Sequence, residues 1–437
     1  MTPSALHVHG GHPLRGHVRV PGDKSVSHRA LLLAALARGR SLVRGLSDGE
    51  DVARTSAIVE TLGAVRRGPV IDGTAGTLQQ PAGALDCGNS GTTMRLVAGT
   101  VSPYPFEVEL VGDESLSARP MDRVAVPLRA MGAEVTGEGE RCLPPLRIRG
   151  GALHAIDYTP PMASAQVKSC VLLAGLGAEG TTVVREPVPT RRHTEELLVR
   201  CGATVEEEDD DGAHVVRLEP GVLEPFELDV PGDPSQAAFW VVAATIVPAS
   251  DVVVEGVYCG AGRRGYLDVL GRMGAQVVEV ATAGDHDLDD VRDLHVRSAP
   301  LRATEVSAEE ITGLDEVPVL AVAAALAEGT TVFRGVGELR VKESDRFEGV
   351  LRLVRAFGGT AEADADDLVV AGVPTLRPAR FSSDGDHRMA MSAAVAALTA
   401  GDGESQIDGW AATATSYPGF EAHLRTLTGF AESEVGA

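Results

Sequence analysis

The chain has 437 residues, enough for two domains of ordinary size, and 44% hydrophobic with 4% aromatic content predicts cores built from Ala, Val and Leu. A formal net charge of −23 argues against nucleic acid and anionic membrane as partners, yet leaves room for a local basic cleft that holds a small anion. The longest apolar runs, Ala30–Ala37 and Val317–Ala327, are too short to span a bilayer.

The N-terminus reads as a strand and turn. His7, His9 and His12 are broken up by Gly10, Gly11 and Pro13, so a metal cluster is not expected, and no apolar signal core precedes them. Five scattered cysteines (Cys87, Cys142, Cys170, Cys201 and Cys259) form no Cys-x-x-Cys pair. An odd, scattered set argues against a disulfide framework and for a reducing cytoplasm.

From Pro21 onward one pattern recurs. A polar turn bounded by Gly or Pro opens a small-residue helix, and a β-branched strand follows; copies start near Pro21, Cys87, Pro161, Pro231, Thr312 and Gly385. Between them lie amphipathic helices that stop at Gly, predicted at Val52–Ala64, Asp122–Val135, Thr194–Val205, Tyr266–Val278 and Asp345–Ala361. Six units suit two pseudo-symmetric lobes of three. The small-residue helices are apolar all round and are expected inside each lobe, with the amphipathic helices outside. The acidic runs Glu206–Asp211 and Asp285–Asp290 read as solvated hairpin turns.

The chain has only three lysines, and each sits in a dense polar motif. Lys24 and Ser25 open a helix, with Arg29 one turn further on the same face, the pattern of a phosphate or carboxylate clamp. Lys168 lies in Ser164-Ala165-Gln166-Val167-Lys168, where it would add charge one turn past Ser164. Lys342 and Arg346 are spaced one helical turn apart between apolar flanks Val341 and Phe347, with Glu343 near to move protons. The segment Cys87–Arg95 is rich in Gly and hydroxyls, and Gly91 would let a ligand approach the backbone. Arg119, the pair Arg191-Arg192 after Thr190, Asp315 at the start of a buried helix, and His387-Arg388 complete the set. Each read alone is also compatible with a capped helix or a solvated charge.

Taken together the motifs GDKSVSHRA, GNSGTTMR, ARPM, SAQVK, LDEVP, RVKESDR and DHRMAM resemble the 5-enolpyruvylshikimate-3-phosphate (EPSP) synthase family over nearly the whole chain. SAQVK and RRHTE resemble its class II branch. The resemblance implies an α/β fold: the two-lobed enolpyruvyl transferase architecture (inverse α/β barrel), with six βαβαββ units, three per lobe. It places residues 1–19 plus 233–437 in one lobe and 20–232 in the other.

The implied reaction moves the enolpyruvyl group of phosphoenolpyruvate to the 5-hydroxyl of shikimate 3-phosphate and releases phosphate, through a tetrahedral intermediate. No metal or other cofactor is implied. By motif, Lys24, Ser25, Arg29, Ser164, Ala165, Gln166, Thr190, Asp315 and Lys342 would bind shikimate 3-phosphate. Phosphoenolpyruvate would lie among Lys24, Gly91, Arg119, Gln166, Arg346 and Arg388. The catalytic set would be Lys24, Asp315 as proton acceptor, Glu343 as proton donor, Lys342 and His387. The family's further Lys before an aromatic-Pro pair has no counterpart in Thr415-Ser416-Tyr417-Pro418. Glyphosate is a candidate inhibitor, although Gly91 is not the Ala often found in tolerant relatives. A cytoplasmic monomer is expected.

Two other readings exist. The related transferase acting on UDP-N-acetylglucosamine uses a loop cysteine that Gly112–Arg119 lacks, and it has Asn where Ser25 stands. A non-catalytic anion-binding homologue would not need the complete set Lys24, Asp315, Lys342, Glu343 and Arg388.

Overall fold

The computed structural model describes residues 4–210, 212–282, 288 and 290–429. The chain forms two compact units, Gly22–Val230, and Met1–Pro21 together with Pro231–Ala437.

Gly22–Val230 carries three four-stranded sheets of one plan. In the second sheet the order is Leu85–Asp86, Glu107–Val111, Leu143–Arg149, Glu134–Glu138. The first pair is parallel and the other two are antiparallel. A parallel pair needs a crossover, and the small-residue helix Gly91–Val101 supplies it. The third sheet repeats the plan with Asp157–Tyr158, Thr182–Glu186, Ala213–Leu218 and Val205–Asp210, crossed by Ala165–Gly175. In the first sheet the parallel partner of Arg40–Arg44 is Glu227–Asp229, from the far end of the unit.

The other unit repeats the plan twice, around Pro234–Ile246 and Val317–Ala324. Its third sheet has three strands. Arg380–Ser382 runs parallel to Glu404–Asp408 across helix His387–Leu398, and Ala5–His9 from the N-terminus pairs antiparallel on the other side. The N-terminal strand thus stands where a hairpin strand stands in the five four-stranded sheets.

The small-residue helices are the core. Every residue of Val317–Ala324 and His387–Leu398 is buried, as is all of Pro234–Ile246 except Ile246. Close approach demands small side chains: a Cβ on Gly99 would lie 2.2 Å from the Cys170 carbonyl oxygen of the neighbouring helix. The amphipathic helices bury one face each. In Gly265–Met273 the buried residues are Tyr266, Leu267, Val269, Leu270 and Met273, and Gly274 ends the helix at φ 98°.

A sixth amphipathic helix, Phe420–Thr428, follows Glu404–Asp408 and was not predicted. Phe420 stacks on Trp240 with ring centroids 4.5 Å apart, and Trp240 Nε1 donates to the Tyr417 hydroxyl at 2.9 Å. Tyr417 in the lysine-free segment is therefore a core anchor.

The acidic run 206–210 is not a turn. It lies in strand Val205–Asp210, where Glu207, Glu208 and Asp210 pair with Arg192, Arg217 and Arg185. Most of Asp285–Asp290 lies outside the described residues.

Candidate active site

Within Gly22–Val230 the three core helices are buried except at their starts. The half-buried positions there are Lys24 and Ser25, Thr92 and Arg95, and Ala165 and Gln166. Caps fix each start: Asp23, Ser90 and Ser164 accept from the backbone N–H of Val26, Thr93 and Val167 at 2.9, 3.2 and 3.4 Å. Side chains then tie the starts together. Gln166 donates to Thr92 Oγ1 (2.9 Å) and accepts from Arg95 Nη1 (2.7 Å). Lys24 Nζ pairs with Asp51 Oδ2 at 2.9 Å, and the Asp51 carbonyl accepts from Thr93 Oγ1 at 3.3 Å. The result is three convergent helix N-termini, each a favourable place for negative charge.

Arginines surround those termini. Arg119 Nη2 donates to Asn89 Oδ1 (2.9 Å) and Ser115 Oγ (3.2 Å). Arg191 Nη1 donates to Ser25 Oγ at 2.9 Å. Gly91 leaves space beside two of them, since a Cβ there would lie 2.9 Å from Arg95 Nη1 and 3.6 Å from Arg119 Nη1.

Three expected residues sit differently from their sequence reading. Arg29 is only 3% exposed. Its Nε donates to Thr194 Oγ1 (2.7 Å), Nη2 to Ser169 Oγ (2.6 Å) and Nη1 to the Ser25 carbonyl (2.9 Å). The spacing placed it over Ser25, but as a buried brace between helices. Thr190 turns its hydroxyl into the interior, onto Glu186 Oε1 at 2.5 Å. Lys168 is fully buried and pairs with Glu186 (2.7 Å) and Glu195 (2.6 Å), so it is not an open charge beside a ligand. Burial pushes the Glu195 carboxyl up, against the pull of Lys168. Glu186, Glu195 and His214 have metal-like spacing, with ligand atoms within 4.8 Å of one another. The Lys168 ammonium already lies against both carboxylates there.

His28, next to this brace, is wholly buried and accepts or donates at 2.7 Å with Thr55 Oγ1. Burial, then Lys24 and Arg29, hold its pKa well below 6.5, so it is a neutral core residue.

The second cluster lies in the other unit. Arg346, 1% exposed, binds Asp386 Oδ2 through Nε (2.8 Å), Asp315 Oδ1 through Nη1 (3.1 Å) and Glu343 Oε2 through Nη2 (2.7 Å). Arg388 Nη1 donates to the Asp315 carbonyl (3.2 Å), and its Nη2 lies 3.4 Å from Asp315 Oδ2. Burial works against the Arg346 charge, but Asp386, Glu343 and Asp315 outweigh it and raise its pKa. Asp386 caps helix His387–Leu398, accepting from Arg388 N (2.8 Å) and Met389 N (3.3 Å). Its carboxyl is driven up by burial but held below the usual range by Arg346. His387 is buried at the first turn of this helix.

Asp315 directly follows two residues of positive φ. Gly313 and Leu314 both have positive φ, 84° and 59°, and a buried Leu in that region persists only where its surroundings hold it.

Lys342 departs from its predicted geometry. The helix starts at Arg346, with Asp345 as its cap, so Lys342 and Arg346 do not share a helical face. Lys342 ends a short 3₁₀ segment and lies 3.4 Å from Glu338. Val341 is exposed, not an apolar anchor, whereas Phe347 is buried beneath Arg340.

Arg95, Asp51, Arg191 and Asp386 were absent from the predicted site. Arg95 had a signal, one helical turn past Gly91 within GNSGTTMR; Asp386 had one as the residue before a buried helix. Arg191 was singled out only as half of a pair. Asp51, opening an outer helix, had none.

The first cluster can hold anions on helix N-termini and guanidiniums. The second holds two part-exposed carboxylates, Asp315 and Glu343, on buried arginines, as proton transfer requires. All five cysteines are buried, and burial pushes Cys87, Cys170, Cys201 and Cys259 up to about 12, which leaves them poor nucleophiles.

The family model described as EPSP synthase (3-phosphoshikimate 1-carboxyvinyltransferase) matches residues 8–424. A 3-phosphoshikimate 1-carboxyvinyltransferase of Acidithiobacillus ferrooxidans is 45% identical over 422 residues, covering 95% of this chain and 96% of that one. The solved EPSP synthase of Acinetobacter baumannii superposes with a TM-score of 0.85 at 38% identity, over 97% of this chain and 98% of that one. The enolpyruvyl transferase NikO of Streptomyces tendae shares the fold, with a TM-score of 0.75 at 19% identity over 97% of each chain. The architecture is thus the enolpyruvyl transferase fold, and with sheets, caps and charged clusters all accounted for, the chain belongs to the EPSP synthase family of transferases.

Proposed function

We propose that the chain transfers the enolpyruvyl group of phosphoenolpyruvate to the 5-hydroxyl of shikimate 3-phosphate. The hydroxyl oxygen bonds to C2 of phosphoenolpyruvate as Asp315 takes its proton and Glu343 protonates the methylene carbon. The resulting tetrahedral adduct then breaks its C–O bond to phosphate, which leaves with the proton held by Asp315, and returns a methyl proton to the ionised Glu343, giving the enol ether.

The observation that carries this reading is the second cluster: Arg346 holds both Asp315 and Glu343, at 3.1 and 2.7 Å. A base and an acid fixed to one buried guanidinium are placed to act on neighbouring atoms. Lys24, Ser25, Ser164, Ala165 and Gln166 are the shikimate 3-phosphate contacts we assign, with Arg191 beside Ser25. Gly91, Arg119 and Gln166 are assigned to phosphoenolpyruvate, with Lys24 touching both substrates and Arg388 and Arg346 completing the set. Lys342 is assigned to shikimate 3-phosphate from outside the helix, and His387 to the catalytic group through its place beside Arg388.

Among the described residues no helix is long and apolar enough to cross a membrane. Five buried free thiols support a reducing cytoplasm.

The deciding measurement is phosphate release with each substrate alone and with both together. Release only in the presence of both is expected. Release with phosphoenolpyruvate and UDP-N-acetylglucosamine instead, or none with any pair, would overturn the reading.

A further inference from the structure

Lys168 carries a buried network that the reaction chemistry does not use. Lys168 and Ser169 are neighbours on helix Ala165–Gly175, and Thr194 and Glu195 are neighbours on helix His193–Arg200. The two pairs meet as two rungs. Lys168 Nζ lies 2.6 Å from Glu195 Oε1, and Ser169 Oγ lies 2.6 Å from Thr194 Oγ1. Arg29, reaching across from helix Lys24–Leu36, bonds both hydroxyls of the second rung.

Lys168 also pairs at 2.7 Å with Glu186, the last residue of strand Thr182–Glu186. Glu186 in turn accepts from Thr190 twice, from the hydroxyl at 2.5 Å and from the backbone N–H at 3.4 Å. One ammonium therefore holds a carboxylate on either side of the segment 187–192, which carries Arg191 near its C-terminal end. Arg191 bonds Ser25 at 2.9 Å, at the start of the helix that also bears Lys24.

We propose that Lys168 is a positioning residue: through Glu186, Thr190 and Glu195 it sets the segment that holds Arg191 beside Ser25, and so sets affinity for the phosphate of shikimate 3-phosphate. This rests on the functional reading above. It also gives Thr190 an indirect role, through Arg191, instead of a contact with substrate. A full-length, fully buried lysine is a poor choice for mere packing. Its cost is offset only by fixed carboxylates, and these lie on either side of the segment.

The test compares Thr190→Val, Arg191→Ala, the double variant and Lys168→Met by steady-state kinetics with each substrate varied. Thr190→Val, which removes the hydroxyl bond to Glu186 and leaves the backbone bond and the ion pairs, should raise KM for shikimate 3-phosphate about fivefold, the loss of one buried hydrogen bond. KM for phosphoenolpyruvate and kcat should change less than twofold. In the Arg191→Ala background Thr190→Val should add nothing, because its effect runs through Arg191. Lys168→Met, where it folds, should show the same split between substrates. Additive effects in the double variant would make Thr190 a direct contact and overturn the proposal. So would an unchanged KM for shikimate 3-phosphate in folded Thr190→Val. Failure of the functional reading looks different, since the wild-type chain would then release no phosphate from the two substrates.

Discussion

The two charged clusters use arginine in opposite ways. In Gly22–Val230 the bonds described for Arg29, Arg95, Arg119 and Arg191 run to hydroxyls, amides and carbonyls. In those bonds a neutral oxygen orients the guanidinium without cancelling its charge. In the other unit Arg346 and Arg388 are bound to Asp315, Glu343 and Asp386. There the cations serve the acids, holding the carboxylates in place. Under the proposed function the first cluster chiefly binds and the second carries the proton transfers, so substitutions in the two should separate in KM and kcat.

The largest effect should come from Asp315→Asn. The amide keeps the shape and can still face Arg346 and Arg388, but it cannot take a proton. We expect kcat to fall by roughly 10²–10⁴, the usual weight of a general base, with both KM values within a few-fold of wild type. A loss confined to KM would erase the contrast between the clusters. Lys24→Met comes next. It removes a cation from a convergent set of helix N-termini and frees Asp51, so kcat/KM should drop by about 10² for both substrates. Tighter binding of either substrate to this variant would count against an anion site.

Much of this division was legible in the sequence, and the failures have physical causes. The six small-residue helices were recognisable because only Ala, Gly, Val and Leu let helices pack as closely as Gly99 against Cys170. Arg29 was placed over Ser25 by helical spacing, and its Nη1 does reach the Ser25 carbonyl. Its burial was hidden, because Thr194 and Ser169 lie 165 and 140 positions away. Spacing failed at Lys342 because it counts only inside a helix. The cap was visible: Asp345 with Glu348 three residues on is a helix-start pattern, and Asp345 Oδ1 does accept from Glu348 N at 3.0 Å. Scarcity singled out Lys168, but scarcity marks a need for lysine, and a buried pin needs one as much as a substrate site does.

The anion cluster also makes stability depend on pH, through His28. Its folded pKa is depressed below 6.5, so the unfolded chain takes up a proton that the folded chain refuses. The stabilisation is fully present above the unfolded pKa and is lost as pH falls below it. From this group urea midpoints should decline between pH 7 and 5, with a slope of at most about 1.4 kcal/mol per pH unit. His28→Gln, which keeps a polar partner for Thr55, should be less stable at pH 7 and flatter over the same range. An equal slope in wild type and variant would place the titration elsewhere.

The smallest effect expected is that of Gly91→Ala. The new Cβ would meet Arg95 Nη1 at 2.9 Å, the far end of a flexible side chain, so the fold should adjust at little cost. The adjustment moves a guanidinium that also bonds Gln166, next to the place assigned to phosphoenolpyruvate. KM for phosphoenolpyruvate should rise about fivefold, the weight of one weakened hydrogen bond, and KM for shikimate 3-phosphate should stay put. Glyphosate, the candidate inhibitor, would be crowded more than phosphoenolpyruvate by the added methyl, so its inhibition constant should rise by a larger factor than that KM. If shikimate 3-phosphate responded instead, the assignment of substrates within the binding cluster would have to be reversed, because Gly91 stands beside Arg95 and Arg119 and not beside Arg191.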